Sequence, residues 1–320
     1  MILPGTTIND LTDELVGVFQ NPAILVGIPL AVVGAVFMSF GAQYQHRGVQ
    51  KVERLSGKTT GGLSRKQLTS LLTRPSWVAG TVMLGLAIVC QLSALSVAPL
   101  ILVQPLGAIA LVITTVLNAR VSGQKPTRQS LIAIALCVGG IFIFVTIAAF
   151  FATEHVVTER ELWIILGILA VVVIVFGVFW VLVRRRAQAL FYIMAAGVIY
   201  GFVATLAKVV ISRAQAGNFE WLTMLCLVAL LAAVAVGAYF VQTAYSVGPP
   251  DLVIAGLTVI DPIVAVLIGL LVLGEASTAP AWALIGFVIA GAIATWGVIQ
   301  LTKHHPQVTA DGKPAKPRVK

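Results

Sequence analysis

Charge is scarce in this chain. Only 10% of its 320 residues are Asp, Glu, Lys or Arg, and just 12 are acidic, whereas a soluble globular protein is about a quarter charged. Intrinsic disorder and a free-standing cytosolic enzyme are thereby excluded. Cysteine is scarce too: Cys90, Cys137 and Cys226 sit in three different apolar runs, with no CxxC pair and no Cys/His ligand spacing. A disulfide scaffold is excluded, and the thiols read as small packing residues. No hydrolytic or nucleophilic constellation appears, and the chain is read as no enzyme. The stretch SGKTTGG has the look of a phosphate loop, but GxxxxGK[ST] needs a Gly where Val52 stands and a preceding strand. An ATP-driven pump is therefore not expected from this chain alone, and no cofactor is implied. What is abundant is apolar sequence, 59% of residues with a mean hydropathy of +1.00. It lies in runs of about 20 residues, the length of a membrane-spanning helix.

Nine such runs predict an all-α polytopic membrane protein. They are roughly Pro22 to Gln43, Trp77 to Leu95, Pro99 to Ala119, Gln129 to Phe151, Leu162 to Val183, Leu190 to Ile211, Trp221 to Tyr245, Leu252 to Leu273 and Ala281 to Leu301. The first is preceded by Asp10, Asp13 and Glu14 and by no Lys or Arg, unlike a signal peptide, so it is expected to persist in the mature protein. With the N-terminus outside, the inner segments 44–76, 120–128, 184–189, 246–251 and 302–320 hold 18 Lys and Arg, against Arg160 and Arg213 on the outer side. The positive-inside rule thus predicts N-out, C-in. It also explains the net charge of +9 without nucleic acid, which is not expected as a partner. The loop 44–76 reads as a basic loop touching anionic headgroups. The tail 302–320 reads as basic and disordered, with His304 and His305 incidental.

The chain also resembles itself. ALSVAP (Ala94 to Pro99) recurs as AYSVGP (Ala244 to Pro249), Pro105 aligns with Pro262, and VVGAVFMSFGA (Val32 to Ala42) is echoed by AAGVIYGFVAT (Ala195 to Thr205). Residues 22–151 (spans one to four) then correspond to 190–301 (spans six to nine), with 162–183 as the linking fifth span and 1–21 outside the bilayer. An odd number of spans separates the copies, so the repeat is inverted, the architecture with which many secondary transporters open a central site to each side in turn.

The same residues carry a family resemblance. IDPIVAVLIGLLVLGEASTAPAWALIGFVIAGAIATWGV (Ile260 to Val298) resembles the closing hairpin of EamA-type permeases of the drug/metabolite transporter superfamily, with Pro262, Gly274, Glu275, Gly286 and Gly291 in matching places. SVAPLILVQPLGAIALVITTVL (Ser96 to Leu117) is closest to the NIPA-type branch, whose eukaryotic members are magnesium transporters. Where the resemblance implies a Glu in the first half, the chain has Asn118 in one register or Gln124 in the other.

An ionisable side chain at the hydrocarbon centre costs about 2.5–3.5 kcal/mol on insertion scales, so it marks a candidate site. Asp261 is expected near the midplane, where Pro262 frees a carbonyl near Thr258; a proton or cation site is one reading, a kink-closing Asp the other. Lys208 is expected near the outer end, where it either snorkels to the headgroups or pairs with Asp261 or an anionic solute. Gln91, Gln104, Gln242, Tyr200 and Tyr245 are candidates to hydrogen-bond a polar solute or a neighbouring span. Pro105 and Pro262 are expected helix breaks, Gly197 and Gly201 a close helix contact, and metal ligands are not identified. These residues predict a secondary permease for a small polar or cationic solute, with a cavity lined by spans one, three, six and eight. A magnesium carrier is the second reading. A non-transporting lipid-binding or envelope-synthesis partner is the third, and it requires an apolar, filled centre. The expected partners are the lipid bilayer, the solute or cation and a second copy of the chain, and the expected location is a bacterial plasma membrane.

Overall fold

The computed structural model describes residues 23–56, 72–122, 127–153, 157–183, 189–247 and 250–303. The N-terminal segment, most of the basic loop, Gln124 and the tail from 304 lie outside the described residues. Those described form helices and connecting turns with no strand: α1 (Ile28–Ser56, entered by a π turn Ala23–Gly27), α2 (Pro75–Val97), α3 (Leu100–Leu106), α4 (Ile109–Ser122), α5 (Arg128–Phe151), α6 (Glu159–Val183), α7 (Ala189–Gln215), α8 (Trp221–Val247), α9 (Pro250–Leu271) and α10 (Ala281–Lys303). Helix is the expected outcome because hydrocarbon offers no water to satisfy backbone amides. Eight described stretches are long and apolar enough to cross a membrane, with α3 and α4 together making one, and α9 adds a shorter apolar stretch, Gly256–Leu271. Large apolar side chains also cover the outside, Leu182 (76% exposed), Val288 (72%) and Phe142 (71%) among them. Water would penalise that surface and lipid tails accept it.

Three boundaries differ from the sequence reading. The first helix continues to Ser56, well into the segment read as a loop, because Gln, Lys, Glu and Arg are good helix formers once outside the bilayer. Helix α7 continues to Gln215 and carries Arg213 with it. Arg213 is buried rather than a loop residue: Nη2 meets Glu220 at 2.9 Å, and Nη1 donates to Val157 O at 3.5 Å. The third concerns the two prolines. Pro105 does break its span, and the chain passes from α3 to α4 through amide bonds that reach back three residues, Gly107 to Gln104 and Ala108 to Pro105. Pro262, expected to do the same, lies inside the uninterrupted α9. Close packing of α9 along α7 holds the helix together where the proline removes a rung.

Small residues make that packing and most of the rest. The principal pairs are α1 with α2, α5 with α10, and α7 with both α8 and α9. A Cβ placed on Gly197 would stand 2.7 Å from Ile260 Cβ, and one on Gly201 2.6 Å from Val264 Cβ. The Gly197/Gly201 pair is thus the close contact the sequence predicts, extended one turn by Ile193 against Gly256. Between α5 and α10, a Cβ on Gly140 would stand 2.5 Å from Ala294 N and 2.9 Å from Ala290 O, while adjacent Gly139 faces open space. Gly140→Ala is therefore expected to destabilise by about 1–3 kcal/mol through overpacking, with Gly139→Ala near neutral. Thermal unfolding of the two variants in detergent checks the contrast.

Candidate functional site

Asp261 sits in the middle of α9, on the turn that packs against Gly197 of α7; a Cβ on that glycine would lie 3.6 Å from the Asp261 amide. The glycine lets the two backbones approach at that turn. The Oδ1 of Asp261 is buried and has no hydrogen-bond partner among the described residues. One turn along α7, Tyr200 lies within electrostatic reach of Asp261, with its ring against Gly237 of α8. The structure therefore gathers Asp261 and Tyr200 from the candidate set. A buried carboxylate oxygen without a donor is costly unless something neutralises it, and either a proton or a cation does so.

The second charged cluster lies elsewhere. Lys208 is eleven residues beyond Gly197 on the same helix, so it stands about 16 Å along the axis from the level of Asp261, too far for a pair. It does not snorkel either. The residue is 4% exposed, and Nζ donates to Leu95 O at 2.8 Å and Ala98 O at 2.9 Å, in the last turn of α2 and at its C-cap. Glu275 completes the arrangement from the other side of the break. Its Oε1 accepts from Leu100 N at 2.7 Å and its Oε2 from Ile101 N at 2.8 Å, the first amides of α3. Each charge complements the helix end that it meets, cation at carbonyls and anion at amides.

Local sequence explains why Glu275 reaches that point. Gly274 takes φ +64°, turning the chain sharply out of α9, and the Glu275 amide returns to Gly269 O at 2.9 Å. Gly269 leaves room for the carboxylate, since a Cβ there would stand 2.8 Å from Oε2. The Glu275 carbonyl in turn accepts from Thr153 N at 2.7 Å, at the end of α5. The GE pair singled out as a family motif is thus a four-way junction among α3, α5, α9 and the turn into α10. Sequence reasoning missed this role for both charges. One signal was available for Lys208, which continues the helical stripe Gly197, Gly201, Thr205 that faces inward.

The remaining candidates are dispersed. Gln104 is buried in α3, Gln91 is half-buried in α2, and Gln242 is exposed on α8. The side chain of Tyr245 lies outside the described residues. One half-open pocket of about 360 Å³ is lined by α3, α5, α9 and α10, including Pro105, Phe144, Thr258, Pro262, Phe287 and Gly291. It lies between spans three, four, eight and nine, and it is almost wholly apolar. Asp261 is not among its lining residues, because Thr258, Pro262 and Val266 turn a different face of α9 towards it.

Glu275→Ala leaves the Leu100 and Ile101 amides without their acceptor, an expected loss of about 1–3 kcal/mol for each buried donor. Gly269→Ala is expected to act in the same direction by displacing the carboxylate. Thermal midpoints in detergent test both, with Gly85→Ala, which faces open space, as the unaffected control.

Comparison with known proteins follows this geometry only in part. A family model described as magnesium transporter NIPA matches residues 23–212, which takes in Gln91, Gln104, Pro105, Tyr200 and Lys208 but stops short of Asp261 and Glu275. An uncharacterized protein of Corynebacterium glutamicum is 27% identical over 289 residues, 87% of this chain and 95% of its own length, and so spans the second half as well. No solved structure matches. With more than half of its length matched, this integral, multi-pass membrane protein belongs to the NIPA magnesium transporter family, and that membership supports a membrane transporter of cations.

Proposed function

We propose that the chain is a secondary carrier that moves magnesium across the membrane by alternating access, with Asp261 meeting the charge of the ion. The observation that carries this reading is the buried Oδ1 of Asp261, which has no hydrogen-bond donor among the described residues, on the turn of α9 that packs against Gly197. Mg²⁺ gives up its water reluctantly and is commonly bound through one or two carboxylates with several waters retained. A lone carboxylate with the Tyr200 phenol nearby suits such a hydrated ion better than a dehydrated cage. The family match moves magnesium ahead of the wider class of polar solutes that the sequence reading placed first.

Alternating access draws support from the recurrence of helix pairings. Helix α1 packs on α2 as α7 packs on α8, α1 touches α3 and α4 as α7 touches α9, and α5 meets its counterpart α10. An inverted repeat requires those pairings. The excess of Lys and Arg on one side supports N-out, C-in.

Two measurements test the reading. Asp261→Asn, purified with an unchanged elution profile and reconstituted in proteoliposomes, is expected to lose most magnesium uptake; full uptake would remove Asp261 from the mechanism. In cells that lack magnesium import, the wild-type chain is expected to restore growth at low magnesium and Asp261→Asn is not. Rescue by neither, with flux of another polar solute intact, would return the substrate to the broader permease class.

A further inference from the structure

The charged clamp on the Ser96–Pro99 junction comes wholly from the other half of the molecule. Lys208 (α7) and Glu275 (the turn after α9) together engage four backbone groups on either side of the break between α2 and α3. Helix α5 joins the same junction through Thr153, and α1 closes on it at Ala98, where a Cβ on Gly27 would stand 2.5 Å from Ala98 Cβ. This end of the bundle is sealed by bonds between the halves.

The corresponding positions at the opposite end carry no such charges. The offset that aligns Val32 with Ala195 sets Gln45 against Lys208, and Glu275 falls against Asn118 or Gln124. Gln45 Nε2 donates to the Thr81 hydroxyl at 3.0 Å, a neutral bond between neighbouring spans. The counterpart junction, residues 248–249, lies outside the described residues. Two inverted halves with equal contacts at both ends would face either side with equal ease. Among the described residues, charge-assisted bonds tie the halves together at this end, and they lower the free energy of the state closed there.

We propose that Lys208 and Glu275 are the gate of this carrier, and that they hold it, at rest, closed at the end bearing the Ser96–Pro99 junction. Opening that end requires the two side chains to release the ends of α2 and α3, and closing the opposite end accompanies it. The inference rests on the alternating-access reading above but not on the identity of the ion.

Reciprocal accessibility tests it. Single cysteines replace Ser96, half-buried beside the clamp, or Gln45, half-buried at the opposite end, in a Cys90→Ser background. The full-length protein is held in nanodiscs so that a soluble maleimide reaches both sides. In the parent, Ser96→Cys is expected to label slowly and Gln45→Cys faster. Adding Glu275→Gln or Lys208→Met is expected to speed labelling at 96 by about tenfold or more and to slow it at 45, a population shift between two states. Lys208→Arg, which keeps the cation, is expected to stay near the parent. Faster labelling at 96 with no change at 45 would mean a frayed helix end and would overturn the gate, as would no change at either site. Should Glu275→Gln fail to fold, the Lys208→Met and Lys208→Arg pair carries the test alone. Reciprocal labelling alongside full flux in Asp261→Asn would remove Asp261 and leave the gate. Magnesium flux without reciprocity would remove the gate and leave the carrier.

Discussion

A helix broken at the edge of a bilayer exposes amides and carbonyls where water is scarce, and each of them must find a partner inside the protein. The chain breaks in this way between Val97 and Leu100, and it meets the requirement with one carboxylate and one ammonium. Glu275 takes the amides and Lys208 the carbonyls. Both charges are buried, a costly placement that lasts only because each meets several correctly oriented dipoles. Much of the architecture around the break serves that placement. Gly274 turns the chain, Gly269 stays bare for the carboxylate, and the stripe on α7 brings Lys208 to the core.

Asp261 stands in contrast to this satisfied pair. All three charges lie in the second half of the chain, on α7, on α9 and just after it, yet they solve different problems. Lys208 and Glu275 have backbone partners, whereas Asp261 presents a buried oxygen with no donor among the described residues. The division separates charges that hold the bundle together from one whose oxygen has no such partner. Thr258, Pro262 and Val266 of α9 line the apolar pocket, and Asp261 does not.

Much of the fold was legible in the sequence because hydrocarbon imposes so strong a rule on composition. Run length gave the spans, and the Gly197/Gly201 spacing gave a real helix contact. Asp261 stood out because a mid-membrane carboxylate has few innocent explanations. What was not legible depended on tertiary contacts. Pro105 and Pro262 look alike in sequence, yet one ends a seven-residue helix and the other is carried through by packing against α7. Lys208 was read as a residue near the lipid edge because linear position gives depth but not direction. Glu275 was recognised only as a motif, since its partners, Leu100 and Ile101, lie 175 and 174 residues away. The first helix was cut too early because a polar segment after a span reads as loop, although its residue types favour continuing the helix.

That separation along the chain bears on biosynthesis. The third span enters the membrane long before the ribosome has added the carboxylate that its leading amides require. Until the last hairpin arrives, the nascent first half must leave those groups to headgroups, water or a chaperone. Arrival of the turn after α9 is therefore a locking event, in which Glu275 fastens a joint laid down 175 residues earlier.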